Sequence, residues 1–152
     1  MAEGIFNSRV EADDELRGKI TSFSAGISSI DGESASESSI KVLKEKYSID
    51  ISAHRSQILN DKMLKDADLI LTMTLHHKSV ILSKIPELTK KVFTLKEFAL
   101  QSENDDNSEE YNYRLDIADP FFMPMQVYKR CAEEIAGAID KTILKLKETI
   151  FF

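Results

Sequence analysis

A single cysteine, Cys131, is the only thiol in these 152 residues. That excludes an internal disulfide and any metal centre built from cysteines. No apolar run approaches the ~18 residues of a membrane span. The opening stretch, Met1 to Phe6, has no basic run and carries Glu3 at once, which speaks against a secretory signal or a transit peptide. These absences together lead to the expectation of a cytoplasmic protein. There is no Gly-rich phosphate loop of either common type and no basic stripe to track a nucleic-acid backbone. Internal repeats and low-complexity blocks are also absent, and nothing marks a domain boundary, so residues 1–152 are expected to form one domain.

What is present is the balance of a globular chain: 42% apolar and 30% charged residues. A chain of this size buries roughly 70% of the surface its unfolded form exposes, enough to fold without staples. The net charge of −6 is unevenly spread. Residues 103–116 hold Glu103, Asp105, Asp106, Glu109, Glu110 and Asp116 against Arg114 alone. Residues 101–116, with Tyr111 and Tyr113, read as an acidic, solvated loop. A loop of that length calls for a functional or a disorder explanation.

Periodicity places the elements. Ile5, Phe6, Val10 and Leu16 fall at roughly helical spacing up to Gly18. A strand is expected at 19–25, ended by Gly26, with Asp31-Gly32 as a turn. Ser34 is the expected cap of a second helix running to Tyr47, and a short extended piece covers 49–52. Asn60 caps a third helix. The near-continuous apolar run from Asp68 to Met73 suits a strand buried on both faces. Thr74 caps a fourth helix that Pro86 stops, and 91–95 is another strand. Pro124 opens the last helix, whose stripe is Val127, Cys131, Ile135, Ala138, Thr142 and Leu146. Strand–helix alternation over the whole length argues an open, mostly parallel α/β sheet. In such folds the reactive groups gather at the carboxyl ends of the strands. The segments to search are therefore Ser24-Ala25-Gly26, Met73-Thr74 and the approach to Asp119-Pro120.

Asp119-Pro120-Phe121-Phe122 is the most pointed local feature. A residue before proline is held extended. Two aromatics beside a carboxyl could wall it off and keep it protonated, as a general acid requires. The competing reading is a turn carboxylate that caps the final helix, with the Phe pair in the core. His54-Arg55-Ser56 is a polar cluster that, alone, reads as a surface histidine. His76-His77 are neighbours on a helix and point apart, which disfavours a two-histidine metal site. Cys131 lies in the apolar stripe, where a cysteine is usually inert. No metal or cofactor is called for.

In order along the chain, these fragments resemble the low-molecular-weight protein tyrosine phosphatases. Met1-Ala2-Glu3-Gly4-Ile5-Phe6 looks like the stretch that follows that family's Cys-x5-Arg-Ser-Pro catalytic loop. Ser24-Ala25-Gly26, His54-Arg55-Ser56 and Ala67 to Thr74 with His77-Lys78 match its later segments. Val92 to Phe98 and Asp116 to Phe121 resemble a bacterial branch that includes protein arginine phosphatases. The likeness runs from Met1 into the last helix. It implies a three-layer Rossmann-like fold of the phosphotyrosine phosphatase I type, with a mostly parallel sheet. It also implies hydrolysis of phosphotyrosine or phosphoarginine in proteins through a cysteinyl-phosphate, with no cofactor.

By that resemblance Asp119 is the catalytic acid, Ser24 and His54 support the phosphate loop, and Phe121 and Phe122 line the substrate mouth. The family's first strand and catalytic loop stand ahead of Met-Ala-Glu, and Cys131 cannot replace them, since Gly137 rather than Arg lies six residues on. The expectation is a chain lacking that strand and loop, inactive as it stands and weakened by unpaired strand edges. The alternative is a non-catalytic, phosphatase-like binding module. A thiol-relay arsenate reductase of the same fold needs further cysteines, which these residues do not supply.

Overall fold

The computed structural model describes residues 1–100 and 114–151. The expected acidic loop, Tyr111 and Tyr113 included, lies outside the described residues except at 114–116. The described elements are α1 (Ala2–Glu11), α2 (Glu37–Tyr47), α3 (Asp61–Asp66), β1 (Ile70–Thr72), α4 (Leu75–Lys84), a 3-10 turn (Pro86–Lys90), β2 (Val92–Thr94), α5 (Leu95–Leu100) and α6 (Met125–Phe151). They fall into two compact units, Met1–Leu59 with Asp119–Phe152, and Asn60–Ala118.

In the first unit α1 and α2 pack on α6. The reason is the apolar stripe on each: Ile5, Phe6 and Val10 on α1, Val42 and Leu43 on α2, and Tyr128, Cys131, Ala132, Ile135 and Ile139 on α6, all buried. Each fully buried Leu, Ile or Phe removes apolar surface worth about 1.5–3 kcal/mol. Gly4 lets α1 come close to its neighbour, because a Cβ there would stand 2.7 Å from the Ile51 Cγ2 methyl. Thr142 is fully buried on α6, and its hydroxyl has no hydrogen-bond partner among the described residues.

Two expectations for this unit need correction. The first helix does not run to Gly18 but ends at Glu11. Asp13 stops it, its Oδ1 accepting from the backbone N–H of Glu15 (3.0 Å) and Leu16 (3.3 Å). A short acid offering this local partner competes with helix continuation. Leu16 is nonetheless buried, delivered to the core by the turn rather than by a helix. The expected strand at 19–25 is not a strand either, for no backbone ladder forms there among the described residues. A smaller shift concerns α2, which is capped by Ser36, whose Oγ accepts from Ser39 N at 3.3 Å, rather than by Ser34. Beyond it, 26–34 and 55–58 are tied by isolated bridges, Gly26 with Ile58 and Ser34 with Arg55.

The second unit holds a two-stranded parallel sheet, β1 against β2, with Ile70 opposite Val92, Leu71 opposite Phe93 and Thr72 opposite Thr94. The caps read from sequence are present: Asn60 Oδ1 accepts from Met63 N (3.0 Å), and Thr74 Oγ1 from His77 N (3.1 Å). β1 is less enclosed than its apolar run suggested, with Thr72 buried and Ile70 and Leu71 half-buried. Helix α5 stands at the expected entry to the acidic loop. A capping box starts it: Thr94 Oγ1 accepts from Glu97 N (3.0 Å), and Glu97 Oε2 accepts from Thr94 N (2.9 Å). Lys78 Nζ pairs with both oxygens of Glu97 at 2.8 Å. The segment before Asp119 is anchored to the end of β1: Ile117 N donates to Met73 O at 2.9 Å. Asp116 Oδ1 accepts from Leu75 N at 2.7 Å.

Candidate active site

One carboxylate gathers Ser24 and His54. Glu3, in the first turn of α1, accepts from Ser24 twice through Oε2, from its backbone N–H at 2.7 Å and its hydroxyl at 2.6 Å. Its other oxygen lies 3.8 Å from His54 Nδ1, adjacent but beyond hydrogen-bond length. Gln57 Nε2 donates to the Ser24 carbonyl at 2.8 Å. Arg55 folds back, donating from Nη1 to the carbonyls of Ser52 (3.0 Å) and His54 (2.7 Å). Ser24 and His54, which the resemblance pairs as supports, thus meet at Glu3. The sequence reading did not single out Glu3 or Gln57. The signal for Glu3 was its place in Met-Ala-Glu, but a lone acid in a first helical turn also serves the helix dipole.

This trio is not a nucleophilic triad. In a triad the imidazole stands between hydroxyl and carboxylate and takes the proton. Here the carboxylate stands between, and the Ser24 proton is committed to Glu3. The arrangement holds Ser24 in place beside His54; it does not arm the hydroxyl.

Asp119 lies in a turn of its own. Its Oδ1 accepts from the Phe121 backbone N–H at 3.0 Å, and Met123 N closes on the Pro120 carbonyl at 2.9 Å. The turn explains the local sequence: Asp bonds the backbone two residues on, and Pro presets the next φ. Asp119 therefore does not cap α6. The Phe pair is not core either, since Phe121 is 58% exposed and Phe122 89%. Their rings pack on one another, centroids 4.1 Å apart. Phe122 sits at φ +61°, a left-handed backbone that costs a non-glycine residue on the order of 1–3 kcal/mol. The enclosing apolar wall suggested by the sequence is not built around Asp119, which is exposed. The turn presents the carboxyl and both rings outward together.

Cys131 connects the two groups electrostatically. Burial, then Glu134, pushes its thiol up to about 11. The Met1 α-amino group opposes that shift, and Asp119 adds to it. The Met1 amine is itself held below its ordinary value by burial, with Cys131 and Glu3 pulling the other way. Asp119, Cys131, the Met1 amine and Glu3 are thus successive electrostatic neighbours. A thiol raised this far is a poor nucleophile near neutral pH. Among the described residues, no group of three or more His, Cys, Asp or Glu side chains is placed to hold a metal ion. The rings of His76 and His77 stand 6.3 Å apart. No described helix is long and apolar enough to cross a membrane.

Residues 1–150 match the family model described as low molecular weight phosphotyrosine protein phosphatase. A protein-arginine-phosphatase of Geobacillus stearothermophilus is 37% identical over 124 residues, covering 82% of this chain and 75% of that protein. The protein-arginine-phosphatase of Bacillus subtilis is 30% identical over 148 residues, covering 97% and 88%. Among solved structures, a low molecular weight protein tyrosine phosphatase from T. tengcongensis superposes with a TM-score of 0.79 at 42% identity, covering 95% of this chain and 88% of the other. These likenesses also carry the α/β fold, with an open parallel sheet, expected from the sequence.

Proposed function

Since this chain belongs to the low molecular weight phosphotyrosine protein phosphatase family, a family of protein phosphatases, we propose that residues 1–152 form one phosphatase domain carrying the acid and the bracing of a cysteinyl-phosphate mechanism. The substrate is a phosphorylated protein in the cytoplasm, bearing phosphoarginine or phosphotyrosine. The two protein-arginine-phosphatases among the relatives favour phosphoarginine.

In this mechanism a thiolate attacks phosphorus, an S–P bond forms, and the P–N or P–O bond to the substrate breaks. Asp119 gives its proton to the departing nitrogen or oxygen. Its carboxylate then takes a proton from water as that water attacks phosphorus. The S–P bond breaks, phosphate leaves, and the thiolate is restored. Ser24 and His54, gathered by Glu3, brace the loop that holds the phosphoryl oxygens. Phe121 and Phe122 line the mouth where the substrate side chain lies. The observation that carries this reading is the exposed Asp119 turn, which offers carboxyl and aromatic pair together within a family match over residues 1–150.

The attacking thiol is not Cys131. It is buried on α6, raised to about 11, and followed six residues on by Gly137 rather than Arg. The 152-residue chain by itself is therefore inactive. The test is a chain extended ahead of Met1 by the family's first strand and a Cys-x5-Arg-Ser-Pro loop. It should hydrolyse a phosphoarginine or phosphotyrosine peptide, and Asp119→Asn should slow it by roughly 10²–10⁴-fold. An unchanged rate in that variant would remove Asp119 as the acid. The buried, protonated Cys131 also supports a second reading, a phosphatase-like module that binds phosphorylated protein without turnover. That reading requires the 152-residue chain to bind a phosphopeptide that the extended chain does not cleave.

A further inference from the structure

The chain leading into Asp119 is pinned through three groups. Leu115 and Ile117 are buried, Asp116 between them is half-buried, and Ala118 and Asp119 are exposed. Asp116 Oδ1 accepts from Leu75 N at 2.7 Å. The Asp116 carbonyl accepts from Lys96 Nζ at 2.9 Å. The N–H of that same peptide, Ile117 N, donates to Met73 O at 2.9 Å. Met73 and Leu75 follow β1, and Lys96 follows β2. The three partners therefore stand beyond the carboxyl ends of the two strands, where open α/β sheets place their reactive groups.

Part of this is helix capping. The first N–H groups of a helix have no partner within it, and negative charge is favourable there. Thr74 Oγ1 serves His77 N, and α4 has no acidic residue in its own first turn. Asp116, 41 residues on from Leu75, supplies that charge. A cap, however, needs only the carboxylate. The bonds from Lys96 and to Met73 hold both polar groups of the Asp116–Ile117 peptide. Lys96 belongs to α5, whose Glu97 pairs with Lys78 of α4 at 2.8 Å. The start of α4, α5 and this peptide thus form one hydrogen-bonded frame, and only Ala118 stands between Ile117 and Asp119. Asp119 itself is exposed, and its Oδ1 is met by the Phe121 N–H of its own turn. Where that turn sits follows from the chain that enters it.

We propose that Asp116 is a positioning residue for the phosphatase reaction. It ties the chain entering the Asp119 turn to α4 and, through Lys96, to α5, and so keeps the Asp119 carboxyl aimed at the departing atom. This rests on the reading of Asp119 as the acid. Proton transfer demands near-exact placement, and a misplacement of about 1 Å can cost roughly 10²-fold in rate.

The test uses the chain extended ahead of Met1 by the family's first strand and Cys-x5-Arg-Ser-Pro loop, with two aryl esters as probes. Phenyl phosphate needs a proton on its departing oxygen as the P–O bond breaks. Dinitrophenyl phosphate does not, because its phenolate leaves unaided. Asp116→Ala should lower kcat/KM for phenyl phosphate roughly 10²-fold and leave that for dinitrophenyl phosphate unchanged. Asp116→Asn keeps an oxygen to accept from Leu75 N and should restore most of the rate. Lys96→Met should give the Asp116→Ala pattern in weaker form, and serves if Asp116→Ala fails to fold. In the 152-residue chain, the Ile117 amide should exchange faster in Asp116→Ala than in Asp116→Asn. Equal losses on both esters would make Asp116 a helix cap alone and overturn the proposal. So would full phenyl phosphate activity in Asp116→Ala, or Ile117 exchange that does not change. Asp119→Asn keeps the two readings apart. A selective loss in Asp119→Asn without one in Asp116→Ala sinks this proposal alone; no selective loss in Asp119→Asn sinks the acid assignment and this proposal with it.

Discussion

Residues 20–25 and the β1–β2 pair read much alike as sequence: short, uncharged, rich in Ile, Thr, Phe, Val or Leu, and bounded by turn or cap residues. In space they differ. β1 and β2 find each other as backbone partners and form a parallel ladder. Among the described residues, segment 20–25 finds only side chains, from Asn7, Glu3 and Gln57, and no ladder forms. Local sequence supplies the propensity for extension, but a strand exists only where a second backbone meets it. Carboxamides and carboxylates can substitute along one edge, in alternate residues, and leave the other edge open.

The comparison breaks most visibly at a buried ladder position. Val92 is fully buried in β2, so Val92→Asp leaves an unpaired charge inside and should cost about 3–5 kcal/mol, against a change within about 0.5 kcal/mol for Phe23→Asp. Equilibrium urea melts of the two variants decide it. Equal losses would mean that segment 20–25 is as enclosed as the ladder.

The core against which α1 rests is tested through Cys131. With its thiol raised from 9.0 to about 11, the thiolate fraction near pH 8 falls roughly a hundredfold. Iodoacetamide labelling should therefore be at least that much slower in the native chain than in urea. The linkage has a definite sign. Between pH 9 and 11 the folded chain keeps a proton that the unfolded chain releases. This contribution to stability is complete below pH 9 and is lost as pH rises through about 11.

Next in size is the side-chain clamp. Glu3→Ala removes a charge-assisted pair of hydrogen bonds from Ser24, an interaction worth about 1–2 kcal/mol after discounting for its partial exposure. The loss should appear as a lower urea midpoint and faster exchange of the Ser24 amide. An unaltered exchange rate would show that Glu3 does not hold the segment. The smallest effect runs the other way. Thr142→Val replaces a buried hydroxyl that has no partner among the described residues and should stabilise by about 1 kcal/mol, raising Tm by about 2–4 °C.

Particular residues show what was legible in the sequence. The stripe through Val127, Cys131 and Ile135 gave α6, and Thr74 and Asn60 gave their caps, because each signal is local and nothing distant competes with it. Segment 20–25 was misread because a strand is defined by a partner far away in sequence. The first helix was overextended because Leu16 satisfies a helical period while Asp13, two residues past Glu11, ends the helix. α5 is missing from the sequence reading, which passes from the strand at 91–95 to the loop at 101–116, although Thr94 and Glu97 form a capping box. The resemblance to ordered motifs singles out Ser24 and His54, and both lie beside Glu3. Glu3, which gathers them, was overlooked because one carboxylate at a helix start has an ordinary role already.

The most direct test of the account is p-nitrophenyl phosphate hydrolysis by the purified 152-residue chain near neutral pH. The account predicts no nitrophenol release above the buffer blank, since the Cys131 thiol is buried and raised to about 11. Turnover that disappears in Asp119→Asn but persists in Cys131→Ser would contradict it.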